Sequence, residues 1–211
     1  LVERNGLWKF ESIPGINQPV WDLLPYYNPQ TGGRTLVALG MYAIYSLRNG
    51  QLTQFATSDK DVQFGGFVLC DTKADARTLY VGTPTGIVAL HLENSGVWTK
   101  RSFFAKDIND EVRSLVMDLN NTLWVGTLTN GVYVVRNVDS DHSELRHIDE
   151  HCGLPTMVNN EVFFLNENVY VGTEKGLMRY DWNQDTLVRV DADAKPQYLS
   201  RIAGLRNRVV V

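Results

Sequence analysis

Thr78-Leu79-Tyr80-Val81-Gly82-Thr83 recurs as Thr122-Leu123-Trp124-Val125-Gly126-Thr127 and again as Asn168-Val169-Tyr170-Val171-Gly172-Thr173. Behind each copy comes a short polar turn ending in glycine, then a second apolar run. These runs begin Gly86-Ile87-Val88, Gly131-Val132-Tyr133 and Gly176-Leu177-Met178. A weaker copy runs from Thr35-Leu36-Val37-Ala38-Leu39-Gly40 into Ile44-Tyr45-Ser46-Leu47. The valine before Gly-Thr marks the repeat at Val81, Val125 and Val171, spaced by 44 and 46 residues, with the degenerate copy 43 earlier. A period in the middle forties accommodates four short strands, one supersecondary unit per repeat.

The other two strands of each unit lie at fixed offsets. First strands are expected at residues 20–24, 67–70, 112–118 and 161–165, and fourth strands at 51–56, 97–104, 144–148 and 186–190. The second strands are apolar on both faces, as strands covered on both sides must be. The fourth strands alternate, as in Leu52-Thr53-Gln54-Phe55. Gly86, Gly131 and Gly176 fall where a tight hairpin needs positive φ. The threonine after each repeat glycine is expected to brace that turn through its hydroxyl. Tyr80, Trp124 and Tyr170, at one recurring place on the second strand, are expected in the core between units.

The fold implied is all-β: a β-propeller of four-stranded antiparallel blades. Complete blades are expected at about residues 15–58, 64–105, 110–150 and 158–191, and partial blades at 1–14 and 197–211. Arg4-Asn5-Gly6-Leu7 matches Arg48-Asn49-Gly50-Gln51, so the first residues read as an outer strand; the last dozen read as a first strand, a turn and part of a second. An open ring exposes sheet edges. The chain, which starts at Leu1, is therefore expected to be a piece of a longer protein.

The 211 residues are 44% hydrophobic and 21% charged, the composition of an ordinary globular chain. With 20 basic and 24 acidic residues the net charge is -4, which argues against a nucleic-acid binder. No apolar run approaches the length of a membrane helix. Cys70 and Cys152 read either as buried thiols or as one disulfide.

Cys152-Gly153-Leu154-Pro155, Asn159-Asn160-Glu161-Val162, the Val-Gly-Thr run to Thr173 and Gly176-Leu177-Met178-Arg179-Tyr180-Asp181 together resemble the two-component regulator propeller repeat. Residues 118–135 match nearly as well, with Trp124 at the family's tryptophan position, and the resemblance covers about residues 15–205. Gly-Leu-Pro occurs once, however, and the first blade has lost Gly-Thr. The resemblance implies a seven-bladed ring in the periplasmic part of a bacterial hybrid two-component receptor. It further implies a sensor of glycan fragments with a histidine kinase elsewhere in the parent, and on the leading hypothesis the module is non-catalytic and signals by shifting the balance between two arrangements of a homodimer. The expected partners are thus an oligosaccharide and a second copy, with no cofactor, no nucleic acid and no membrane segment within these residues. The alternatives are a protein-docking scaffold and, third, a propeller glycosidase or lyase.

Asp118-Leu119-Asn120-Asn121-Thr122 resembles the Asp-box turn of sialidase propellers. A sialidase also needs an arginine triad and a nucleophile, and the arginines here do not recur in that way. The densest polar stretch, Asp141 to His151, holds three of the four histidines. In a strand His147 and His151 are too far apart to share a metal, so no metal site is expected. No nucleophile elbow, Walker loop or dinucleotide motif is present, and no catalytic residue is assigned. Ligand contacts are expected in the second-to-third-strand turns and fourth-to-first-strand loops, which share one face. The candidates are Tyr42, Asp110, Arg113, Asn130, Asn160 and Arg201, because a glycan needs paired donors and acceptors beside aromatic faces.

Overall fold

The Gly-Thr pairs of the repeat end one strand and set up the next hairpin. Thr83 Oγ1 donates to the Gly86 carbonyl at 3.0 Å, Thr127 Oγ1 to Gly131 at 2.9 Å and Thr173 Oγ1 to Gly176 at 2.9 Å. The same oxygens accept backbone N–H groups of Thr85, Asn130 and Lys175 inside the turns. The three glycines adopt φ of 124°, 67° and 111°, where a Cβ is disfavoured. Hydroxyl and glycine thus close the same turn in three repeats.

The computed structural model describes residues 2–55, 66–72, 75–101, 107–138, 140, 142–190, 200–201 and 209–210. A hairpin of β1 (Val2–Arg4) and β2 (Leu7–Lys9) comes first. Blade one contains β3 (Val20–Asn28), β4 (Gly33–Gly40), β5 (Ile44–Arg48) and β6 (Gln51–Gln54). Blade two contains β7 (Val68–Asp71), β8 (Thr78–Thr83), β9 (Gly86–Leu92) and β10 (Trp98–Arg101). Blade three contains β11 (Val112–Met117), β12 (Leu123–Thr127), β13 (Val132–Arg136) and β14 (Glu144–Ile148). Blade four contains β15 (Glu161–Leu165), β16 (Asn168–Thr173), β17 (Gly176–Asp181) and β18 (Thr186–Arg189). Finally β19 (Ser200–Arg201) pairs with β20 (Val209–Val210).

Each blade is a four-stranded antiparallel meander in sequence order. The first strands β3, β7, β11 and β15 lie beside one another from blade to blade and form the inner edge. This is the propeller architecture. The segment read as an outer strand, near Leu7, is the second strand of the β1–β2 hairpin. Its Asn5-Gly6 turn has φ of 54° and 75°, and the Asn49-Gly50 turn of blade one has 51° and 78°. Both satisfy the double positive φ of a type I′ hairpin. Strand β3 extends four residues past its expected end because β4 pairs with it as far as Asn28↔Gly33. Among the described residues no helix is long and apolar enough to cross a membrane. Cys70 and Cys152 are both buried and are not joined to each other by a disulfide.

Alternation on the second strands distributes the core between blades. Leu79 and Val81 pack toward Val37 and Leu39 of blade one, whereas Tyr80 packs toward Val112, Leu115 and Leu123 of blade three. Trp124 likewise turns to Val162, Val171 and Tyr180 of blade four. Tyr80 and Trp124 are 2% and 3% exposed. Tyr170 departs from the expectation of burial: it is half-buried, resting on Phe163 with ring centroids 6.0 Å apart. Its neighbours Val169 and Val171 face blade three, so strand alternation puts Tyr170 on the other side of the blade.

Neighbouring blades approach closely where the repeat has glycine. A Cβ on Gly82 would lie 2.7 Å from Val112 Cγ1 of the next blade, and one on Gly126 would lie 2.5 Å from the Asn160 carbonyl. In blade one Leu39 stands at the same register, and there the next blade offers Gly66, whose added Cβ would lie 2.9 Å from both Leu39 methyls. The large and small partners have changed sides of the interface, and the fit is kept. A polar lock repeats beside it. Asp22 Oδ2 accepts the Leu69 N–H of the next blade at 2.8 Å, and Ser114 Oγ accepts the Val162 N–H at 2.9 Å. Asp22 and Ser114 hold equivalent registers, opposite Leu39 and Gly126.

The Ser114 bond is fully buried. Ser114→Ala is expected to lose about 1–3 kcal/mol by leaving the Val162 N–H without its acceptor. Gly126→Ala, which drives a methyl into the Asn160 carbonyl, is expected to cost about as much or more. Urea unfolding of both variants against the parent chain checks the two values.

Candidate functional site

The first strands do more than pack. In β3 the register shifts between Val20 and Asp22, and in β11 between Val112 and Ser114. The extra residue at each bulge is Trp21 in blade one and Arg113 in blade three. A bulge releases one residue from the ladder and re-aims its side chain. Phe67 precedes β7 at the equivalent place in blade two, where its N–H donates to the Gly82 carbonyl at 2.8 Å. Asn160 occupies it in blade four, just before Glu161↔Gly172.

Three of these side chains meet across the blade junctions. Trp21 meets Phe67 edge to face, with centroids 5.9 Å apart. The Arg113 guanidinium carbon lies 4.2 Å above the Phe67 ring and is paired with Glu111. Trp21 is 50% exposed, Phe67 half-buried and Arg113 exposed. The result is a ledge of two aromatic rings and one stacked guanidinium, crossing three blades. The exposed Val20, Met41, Tyr42 and Val158 belong to the same loop-bearing face.

The six residues expected from sequence have different fates. Tyr42 is 61% exposed in the β4–β5 turn, and its N–H is held by Gln18 Oε1 at 2.6 Å. Asp110 plays the matching part in blade three: its Oδ2 accepts both the backbone N–H and the hydroxyl of Thr129 at 2.9 Å, and its Oδ1 accepts the Glu111 N–H. Burial pushes the Asp110 carboxyl up, but these bonds outweigh it and hold the group below the ordinary carboxylate range. Asn130 is likewise absorbed into its turn. Its amide reaches Tyr133 Oη, its N–H goes to Thr127 and its carbonyl meets His147 Nε2 at 2.9 Å. Asn160 is 2% exposed, and its Nδ2 donates to the Thr156 carbonyl at 2.8 Å. Its Oδ1 has no hydrogen-bond partner. Arg201 is described only as a position in β19. Of the five candidates whose side chains are described, Arg113 joins the ledge.

Trp21 and Phe67 were missed by the sequence reading. Their signal was present in the period: Trp21, Phe67 and Arg113 are spaced by 46 and 46 residues.

The other polar clusters brace the fold. Asp118 Oδ1 accepts the N–H groups of Asn120 and Thr122 at 2.8 and 2.9 Å, and its Oδ2 accepts from Trp124 Nε1 at 3.2 Å. The Asp-box-like segment is therefore a first-to-second-strand turn carrying a core tryptophan. His147 stacks on Tyr133 with centroids 4.3 Å apart, while Asp149 caps the short turn of Glu150–Cys152. Among the described residues no three histidine, cysteine or acidic side chains gather as a metal set; Asp141 lies outside them. Tyr180 bonds to Asp185 and Arg146, and burial followed by the Asp185 bond pushes its hydroxyl up to about 12.

Solved structures share this architecture. The extracellular domain assigned to the hybrid two component system BT4673 of B. thetaiotaomicron superposes with a TM-score of 0.64 at 20% identity, covering 86% of this chain and 23% of that one. The corresponding domain of BT3049 from the same organism gives 0.58 at 12% identity, covering 86% and 26%. Virginiamycin B lyase from Staphylococcus aureus gives 0.54 at 8% identity, covering 81% and 55%. Identities this low establish the propeller fold. The chain spans about a quarter of the length of the two-component chains it matches. No family model and no curated protein matches it.

Asp110→Ala is expected to lose about 1–2 kcal/mol near neutral pH by releasing the β12–β13 turn. The carboxyl is depressed in the folded state, so its contribution is complete above the unfolded value of about 3.9 and lost as pH falls through the folded one. The gap between variant and parent should therefore narrow below about pH 4, which urea unfolding across pH reads out.

Proposed function

We propose that the chain is part of an extracytoplasmic, periplasmic propeller of a bacterial two-component receptor, and that it binds a glycan fragment without turning it over. The observation that carries this reading is the bulged ledge of Trp21, Phe67 and Arg113. A saccharide presents a flat C–H face and a rim of hydroxyls. Trp21 and Phe67 offer aromatic surface for the first, and the Arg113–Glu111 pair offers donors and an acceptor for the second. The structural likeness to extracellular domains of two-component systems supports the receptor context.

A glycosidase or lyase reading finds less support. A general acid needs a raised pKa, and Asp110 and Asp149, two carboxyls in the loops of this face, are both lowered and bonded to their own turns. The exposed Val20, Met41, Tyr42 and Val158 favour one alternative, a protein-docking face.

Titration with a panel of glucan, xylan, mannan, galactan and arabinan oligosaccharides, followed by tryptophan fluorescence and calorimetry, separates the readings. A saccharide should bind without being cleaved, and Trp21→Ala should weaken it by about tenfold or more while leaving the unfolding midpoint in place. Binding that survives Trp21→Ala unchanged, or a hydrolysed product, would sink this reading.

A further inference from the structure

Resting on that reading, we infer that the saccharide taken by the ledge is uncharged, with Arg113 and Glu111 acting as a donor–acceptor pair on neighbouring hydroxyls rather than as an anion receptor. Arg113 is the cation of the ledge, but it is already engaged. Its Nη2 pairs with Glu111 Oε1, and its guanidinium carbon stacks on Phe67 at 4.2 Å. Ion pair and stack together fix the plane of the guanidinium. With the side chain 46% exposed, the remaining N–H donors are available at its edge.

An anionic sugar meets two obstacles here. To take over the guanidinium it must displace Glu111, whose Oε1 is buried and has no hydrogen-bond partner beyond its ion pair. Leaving a buried carboxylate oxygen without its counter-charge is costly. The segment entering β11 also carries Asp110 beside Glu111, both within three residues of Arg113. The bonds from Thr129 and Glu111 keep Asp110 ionised. A sugar carboxylate or sulfate would approach a guanidinium whose charge Glu111 already balances, with the Asp110 carboxylate three residues away in the chain, a repulsion that salt weakens. A neutral sugar meets neither obstacle: its hydroxyls can accept from the free guanidinium edge and donate to Glu111 while the ion pair stays closed.

The test compares the neutral oligosaccharide panel with hexagalacturonate on the 211-residue chain, by calorimetry at low and at physiological salt. The expected result is that a neutral member binds and hexagalacturonate is at least about tenfold weaker at low salt, the gap narrowing as salt rises. Glu111→Gln, which keeps the shape and removes the charge, should also narrow it. Hexagalacturonate binding as tightly as the best neutral member, and weakening with salt, would overturn the inference while leaving the glycan reading intact. If neither class gives heat or perturbs tryptophan fluorescence, the glycan reading itself falls, and the inference with it.

Discussion

Everything in these blades depends on how closely one blade's second strand approaches the next blade's first. At Gly82 and Gly126 a Cβ would meet the blade's own first strand, at Val68 Cγ1 and Ser114 Oγ, and also the next blade, at Val112 and the Asn160 carbonyl, so the junction closes this tightly because a hydrogen stands there. Close approach brings Ser114 within reach of the Val162 N–H and Asp22 within reach of the Leu69 N–H, so each lock follows from the packing beside it. It also seals Tyr80 and Trp124 between blades. The Leu39–Gly66 junction shows that the constraint is on the sum of the two partners. Volume lost on one blade can be returned by the other, which is why blade one folds like its neighbours without the Gly-Thr signature.

The architecture was legible because three copies of Val-Gly-Thr set the period and each residue in them has a separate duty. Valine fills the inter-blade core, Gly82 and Gly126 admit the next strand, and threonine closes the turn. The repeat says only which way a side chain faces, and Tyr170, turned away from blade three, is half-buried. Asp110 and Asn130 were rightly placed in the loops of one face. Sequence could not show that their oxygens and amides were already committed to Thr129, Tyr133 and His147. A polar loop residue is available to a ligand only if its own turn does not use it up.

The ledge was harder to read because bulges break the alternation on which strand reading depends. Trp21 sits beside Asp22, and Arg113 between Val112 and Ser114, where strict alternation would assign each to one face of a regular strand. The bulge removes that assignment and turns both side chains toward the neighbouring blade's Phe67. Irregularity in one strand is thus coordinated with the next at the period of the repeat, as random irregularity would not be.

If the proposed receptor role holds, that coordination bears on signalling. Trp21, Phe67 and Arg113 belong to three blades, and Phe67 meets each of the other two across a blade junction. On the proposed reading, a saccharide lying along the ledge bonds to three blades at once, so its affinity depends on their relative placement. By linkage, the bound saccharide then favours the arrangement of blades that fits it best. The junctions are packed without slack at Gly82 and Gly126, so a change in one is transmitted to the next as a shift of whole strands rather than absorbed by a loose side chain. A site built within one blade could bind as tightly, but it would have no such purchase on the ring.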